Sequence, residues 1–414
     1  MKIIPSSNQR AVRRVVERRR TSDATLDRRV RRIVDAVRRR GDVALCEYAR
    51  RFDQLNGPLE VTRPEMRQQA RKAPAAVRKA IKVASRHIRR IATRQVPRGW
   101  RAPVVPGVVV EQRVLPLERV GCYIPGGRYP LPSSLLMTAI PARVAGVREV
   151  IAVCPRPEPA VMAAALEAGV SRLFRIGGAH TIAALAYGTE TVPKVSKIVG
   201  PGNAYVSAAK AYVSTDCPID FHAGPTEIVV VARMGNADWI AADLVAQAEH
   251  DPDARAILLT PSARLARAVS DAVDTQLVTN EAARASIHRH GIAIVTRDLA
   301  EAISLANSIA PEHAVCDREA VAKKLTQAGT VFVGRYGAQA AGDYATGSNH
   351  VLPTNGTARF RGGLNAADFV RVNSVQRLTR AGLARLAPTI VSLANAEGLV
   401  GHAASVTIRA RENS

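Results

Sequence analysis

Arg-Glu-Val-Ile-Ala-Val-Cys at residues 148–154 runs into Val-Met-Ala-Ala-Ala-Leu-Glu-Ala-Gly at 161–169. The first run is short, apolar and β-branched, as a strand covered on both faces must be. The second is alanine-rich and ends on glycine, as a covering helix does. The alternation recurs on both sides. Val-Gly-Cys-Tyr-Ile-Pro-Gly-Gly at 120–127 leads into Ser-Ser-Leu-Leu-Met-Thr-Ala-Ile at 133–140. Arg-Leu-Phe-Arg-Ile-Gly-Gly at 172–178 leads into Thr-Ile-Ala-Ala-Leu-Ala-Tyr, and Lys-Ile-Val-Gly-Pro-Gly at 197–202 into Ala-Tyr-Val-Ser-Ala-Ala-Lys. Four such units predict a parallel, doubly wound sheet over 118–225 with its ligand side at the carboxyl ends of the strands, where the glycine turns fall. No Gly-x-Gly-x-x-Gly fingerprint occurs. Gly126-Gly127, Gly177-Gly178 and Gly200-Pro201-Gly202-Asn203 could each let backbone approach a phosphate.

A second α/β set follows, with strands expected near 227–232, 256–260, 292–295 and 330–333, and helices over 237–250, 262–275 and 299–309. The expected fold is therefore α/β: two doubly wound, incomplete Rossmann-like domains with parallel sheets. One would comprise residues 22–117 and 226–365, the other 118–225. Residues 1–21 read as a small N-terminal arm. Residues 366–414 show no clear strand and read as a small helical appendage.

The chain has 414 residues, an apolar fraction of 47% and few aromatics, which suits a globular protein with a sizeable core. It lacks the apolar run of about 18 residues that marks a membrane-spanning helix. Its start, Met-Lys-Ile-Ile-Pro-Ser-Ser, lacks the core of a signal peptide, and five scattered cysteines suit reduced thiols. A cytoplasmic location is expected. Cys122, beside a glycine turn, reads as a buried small hydrophobe rather than a nucleophile.

The formal charge of +24 raises a nucleic-acid reading, but residues 1–100 hold 28 Lys and Arg against 9 Asp and Glu. There Leu26, Val30, Ile33, Val34 and Val37 follow helical spacing with arginines between them, and Gly41-Asp42 ends one helix and caps the next. Those are amphipathic helices with solvated basic faces. Without aromatic interleaving or a zinc-finger pattern, only salt-sensitive adventitious binding is expected, and no dedicated nucleic-acid or membrane partner.

Four clusters could carry chemistry. In Ala-Gln-Ala-Glu-His at 246–250, a helix puts Gln247 and His250 at i and i+3 on one face, where a carbonyl oxygen and an imidazole could share a divalent ion. A solvated face is the bland alternative. Ala-Pro-Glu-His at 310–313 sets Glu312 and His313 on a loop or strand end after the helix-breaking Pro311, suited to proton transfer or to a plain salt bridge. Gly-Asp-Tyr-Ala-Thr-Gly-Ser-Asn-His at 342–350 reads as a polar loop carrying Asp343 and His350, either able to bind metal. Glu-Gly-Leu-Val-Gly-His at 397–402 places Glu397 and His402 on the appendage. His87, His288 and His290 read as surface residues, and His222 as structural.

Taken in order, these segments closely resemble histidinol dehydrogenase. The matching pieces are Tyr-Ile-Pro-Gly-Gly-Arg-Tyr-Pro-Leu-Pro-Ser-Ser from 123, Gly-Pro-Gly-Asn-Ala-Tyr-Val from 200 and Ala-Gly-Pro-Thr-Glu from 223. Ala-Gln-Ala-Glu-His-Asp-Pro-Asp-Ala from 246, Ala-Pro-Glu-His from 310, the 342–350 segment and Glu-Gly-Leu-Val-Gly-His-Ala-Ala-Ser-Val from 397 complete the series. The resemblance spans residues 22 to 409. It implies a homodimer with shared active sites that binds Zn²⁺ and uses two NAD⁺ to oxidise L-histidinol to L-histidine through L-histidinal, at the end of histidine biosynthesis. It implies Gln247, His250, Asp343 and His402 as zinc ligands, the last from the partner subunit. His313 would be the base for the alcohol, and Glu312 would activate water on the aldehyde. The implied cofactor contacts are Tyr123, His180 and Asn203. The implied substrate contacts are Thr226 and Glu397, with His313 and the zinc ligands.

The chain departs from the family pattern at His180, where Gln is usual, at Thr226, where Ser is more common, and at Arg371-Val372-Asn373-Ser374, which more often reads Lys-Arg-Thr-Ser. Three alternatives have distinct consequences. A relative that oxidises another polar alcohol, such as a sulfonated diol, would leave histidinol untouched. A zinc hydrolase would turn over without NAD⁺, and a nucleic-acid binder would hold its ligand at physiological salt.

Overall fold

The computed structural model of the chain describes residues 1–17, 23–126, 130–222 and 224–411. Gly127 of the glycine-turn motif, Ala223, and the expected boundary between arm and first domain at residues 21 and 22 lie outside the described residues. Fourteen strands occur among them. In chain order these are β1 (Lys2–Pro5), β2 (Glu60–Val61), β3 (Trp100–Val105), β4 (Val108–Pro116), β5 (Arg119–Tyr123), β6 (Glu149–Val153) and β7 (Arg172–Phe174). They continue with β8 (Lys197–Val199), β9 (Glu227–Val231), β10 (Arg255–Thr260), β11 (Ile292–Val295), β12 (His313–Cys316), β13 (Thr330–Val333) and β14 (Val370–Leu378).

Two sheets carry the larger unit, residues 1–95 and 118–369. The five-stranded sheet runs β2-β7-β6-β5-β8 and the six-stranded sheet β1-β11-β10-β9-β12-β13. The parallel strands wind out from β5 through β6 to β7 in one sheet and from β9 through β10 to β11 in the other, and the chain then crosses back to β8 and to β12 on the opposite side. The reversals fall between β5 and β8 and between β9 and β12, the topological switch points of doubly wound folds. Every residue of β9 is buried, as a central strand between helix layers requires.

Three expectations are corrected. Residues 1–21 do not begin as an arm: β1 is an edge strand of the six-stranded sheet, paired parallel with β11 from Lys2↔Ile292 to Pro5↔Val295. Residues 22–95 do not group with 226–365. The helix Ala24–Arg40 packs Val30, Val34 and Val37 into one core with Ile182, Ile198 and Val206 of the five-stranded half. Helices Arg63–Arg71 and Ala75–Gln95 pack on Pro132–Val144 and Pro159–Ala168 of that same half. An apolar helix face declares that it is buried, and tertiary packing decides against which sheet.

The third correction concerns the C-terminus. The second unit, residues 96–117 and 370–414, has a three-stranded antiparallel sheet, β14-β4-β3, as well as helices Arg380–Ala396 and Val400–Arg411. β14 pairs with β4 from Val370↔Pro116 to Leu378↔Val108. The unit leaves Leu393 at 60%, Val400 at 72% and Ile408 at 69% exposed.

Candidate active site

The helix Leu299–Ile309 stops because Ala310 takes a left-handed conformation, φ 49°, and Pro311 cannot continue it. The chain then enters β12 at His313, so the Glu312-His313 pair stands at the amino end of a central strand. Beside it, Thr226 immediately precedes β9. Glu312 is 7% and His313 3% exposed. The site therefore lies at the amino edge of the six-stranded sheet, next to its switch point. The glycine turns of the other half follow the carboxyl ends of β7 and β8. Only the latter half follows the usual rule for open α/β sheets.

A chain of hydrogen bonds organises the buried groups. Gln247 Nε2 donates to Thr226 Oγ1 at 2.5 Å. The Thr226 hydroxyl donates in turn to the Glu312 carboxylate, which also accepts the Glu227 N–H at 3.0 Å. With its nitrogen committed, Gln247 presents an amide oxygen that is fully buried and has no partner among the described residues. A buried unpaired acceptor is costly unless something electropositive faces it. His250 follows the end of the helix Ala237–Ala248, with its N–H 3.4 Å from the Gln247 carbonyl, and is exposed.

Asp343 lies in the short helix Gln339–Tyr344, not in the loop expected from the sequence. Its Oδ2 accepts Gln339 Nε2 at 2.7 Å, and both residues are buried. His350 Nδ1 is 3.0 Å from the Asp343 carbonyl, and its Nε2 is 3.4 Å from Ser134 Oγ. Burial pushes the Glu312 carboxyl up to about 8, against the opposing pull of its hydrogen bonds from Thr226 and Glu227. Burial pushes His313 down to about 4, against the attraction of Asp343, while His350 and His250 lower it further. At neutral pH this gives a protonated acid beside a neutral imidazole whose Nδ1 is buried and unpartnered among the described residues. Their closest approach is 3.8 Å. Asp343, His350 and His250 thus fall within electrostatic reach of His313. Among the described residues no group of three or more His, Cys, Asp or Glu stands at metal-holding separation.

Glu397 and His402 lie on the smaller unit. Glu397 caps the helix Arg380–Ala396, which Gly398 ends at φ 73°, and His402 lies in the first turn of Val400–Arg411. Both are exposed and have no hydrogen-bonding or ionic partner for their side chains among the described residues.

At the rim of the five-stranded sheet, the Tyr123 hydroxyl ends β5 and accepts the Gly178 N–H at 3.1 Å. His180 is 1% exposed, and its Nε2 meets Asp53 Oδ2 at 3.0 Å. The same oxygen accepts the Gly177 N–H at 3.0 Å. Asn203 caps the helix Ala204–Val213 through Oδ1, which accepts the Val206 N–H at 3.1 Å. Asp53, which meets His180, and Gln339, which donates to Asp343, were missed in the sequence, where each reads as an ordinary polar position on a helix or turn. Cys122 and Cys154 are buried, and burial pushes both thiols up to about 12, which leaves neither a nucleophile.

The family model for histidinol dehydrogenase matches residues 16–410. A histidinol dehydrogenase of Brucella suis biovar 1 (strain 1330) is 47% identical over 398 residues, covering 93% of each chain. One from Syntrophotalea carbinolica is 46% identical over 413 residues, covering 96% of each. The crystal structure of histidinol dehydrogenase from Elizabethkingia anophelis superposes with a TM-score of 0.94 at 31% identity, covering 99% of this chain and 98% of that one. Fold, site and relatives together define an α/β oxidoreductase. The chain belongs to the histidinol dehydrogenase family.

Proposed function

We propose that the chain oxidises L-histidinol to L-histidine through L-histidinal, with two NAD⁺ and one Zn²⁺ per site, in a cytoplasmic homodimer that shares its active sites. The observation that carries this reading is the buried chain Gln247–Thr226–Glu312 with neutral His313 beside it.

The donor set fits a metal. Gln247 Oε1 is an orphaned buried acceptor, and Asp343 and His250 supply a carboxylate and an imidazole of the types zinc accepts. The partner subunit's His402 would complete the set. Bound zinc would anchor the imidazole and amino nitrogens of the substrate and fix its geometry. NAD⁺ fits the switch point between β5 and β8, where Tyr123 and the Gly200–Asn203 turn stand on adjacent strands. It would accept one hydride in each oxidation.

In the first oxidation the neutral imidazole of His313 takes the hydroxyl proton of the alcohol as the carbinol hydride leaves. In the second, Glu312 takes a proton from the water that attacks the aldehyde carbon, and Thr226 orients that carboxylate. Glu397 of the partner subunit faces the cationic amine of the substrate. The buried His180 acts on the cofactor through Asp53 and the Gly177–Gly178 turn rather than by direct exposure. Exposed Leu393, Val400 and Ile408 support a dimer, because a unit this small that carries so much apolar surface gains from a partner. No helix among the described residues is long and apolar enough to cross a membrane.

Purified protein with Zn²⁺ and NAD⁺ should form about two NADH per L-histidinol consumed, one per hydride transfer. Turnover of other alcohols with none of histidinol would overturn the reading, as would turnover that does not need NAD⁺.

A further inference from the structure

The turn after β8 is gripped by a buried ion pair. Lys210 is 3% and Asp220 2% exposed. The Lys210 ammonium donates to the Gly200 carbonyl at 2.8 Å and to Asp220 Oδ1. Asp220 Oδ2 accepts the Gly200 N–H at 2.7 Å, and Oδ1 accepts the Phe221 N–H at 2.7 Å. Both polar groups of Gly200 are therefore held by opposite charges. Gly200 has φ 112°, and a Cβ there would stand 2.1 Å from the Tyr123 carbonyl oxygen. Only glycine permits this approach.

Such a pair is expensive to bury, and replacing both partners with apolar groups is often neutral or stabilising. Stability alone is thus a weak reason for its presence. Its position is a better one. It locks the first residue of Gly200-Pro201-Gly202-Asn203 against the end of β5, at the switch point of the sheet.

We propose that Lys210 and Asp220 are positioning residues for the dinucleotide: the buried pair fixes the Gly200 peptide, and with it the spacing between Tyr123 and Asn203. This rests on the reading of NAD⁺ as the cofactor. In the absence of the pair the turn relaxes away from Tyr123, and cofactor affinity falls while the zinc and substrate groups at the amino edge of the other sheet keep their places.

The test is NADH binding, followed by calorimetry, to zinc-loaded wild type, to Lys210→Met/Asp220→Asn and to Gly200→Ala. The double substitution removes both charges together, so no lone buried charge remains to unfold the protein, and Gly200→Ala shifts the turn with the pair intact. Both variants should lose about tenfold or more in NADH affinity. Zinc content and histidinol affinity should stay within about twofold of wild type, below the resolution of a charge-assisted hydrogen bond. Unchanged NADH affinity in both folded variants would overturn the proposal, and so would a parallel loss of NADH and histidinol affinity. If wild type itself binds no NADH, the cofactor reading fails and this inference with it.

Discussion

Thr226 donates its hydroxyl proton to Glu312, and the same oxygen accepts the amide hydrogen of Gln247. One small side chain thus sets the orientation of an acid proposed to activate water and frees the oxygen of an amide proposed to hold zinc.

Thr226→Val keeps the shape and removes the hydroxyl. Glu312 then retains the hydrogen bond from the Glu227 N–H, and Gln247 loses its anchor. Histidinal oxidation should fall about tenfold or more, with weaker zinc retention, whereas Thr226→Ser should stay near wild type. Single-turnover rates and chelator competition check this. A Val variant as active as the Ser variant would contradict it.

The two proton-transfer groups should separate by pH. His313, near 4, is neutral throughout the physiological range, so alcohol oxidation should be flat above about pH 6 on its account. Glu312, near 8, must lose its proton to act as a base, so histidinal oxidation should rise with pH and level off above about 8. Superimposable profiles for the two half-reactions would count against these roles.

Glu312 also leaves a mark on stability. Its folded value is raised from 4.5 to about 8, so its contribution is fully present below about 4.5 and is lost as pH rises through 8. Glu312→Gln should therefore be relatively more thermostable than wild type at pH 9, with the gap closing towards pH 4.5. A melting difference independent of pH would show that the carboxyl is not desolvated as described.

Metal affinity should depend on a residue that is not itself a ligand. Gln339 fixes the Asp343 carboxylate at 2.7 Å. Gln339→Leu should cost about 10–100-fold in zinc affinity, against near-complete loss for His250→Asn. Equal zinc retention by wild type and both variants, measured by metal analysis after dialysis against a chelator, would remove zinc from this site.

Sharing of sites between subunits can be tested by mixing. His402→Asn and His313→Asn homodimers should each be inactive, yet randomly reassociated heterodimers hold one intact site and should recover about a quarter of wild-type activity. No recovery would place His402 with its own subunit's site.

Much of the fold was legible because strand and helix signals alternate cleanly where both faces of a strand are covered, as in β6 and the helix Pro159–Ala168. Short and exposed strands were not. β1 is four residues ending in proline, and only its pairing with β11 makes it a strand. β14 is mostly exposed, so its residues show no buried face to read. The candidate site was legible in its residue types, at Glu312, His313, Gln247 and Asp343, because acids, imidazoles and amides announce the chemistry they could carry. Its supports were not. Lys210 sits in an alanine-rich helix as any surface lysine would, and only the tertiary packing puts its ammonium in the interior beside Asp220.

The division of labour between His313 and Glu312 is most directly tested by counting NADH formed per histidinol consumed, in wild type and in Glu312→Gln. Wild type should yield about two and the variant about one, with histidinal accumulating, because only the second hydride transfer needs the activated water. Two NADH per histidinol at an undiminished rate in the variant, or none in wild type, would contradict it.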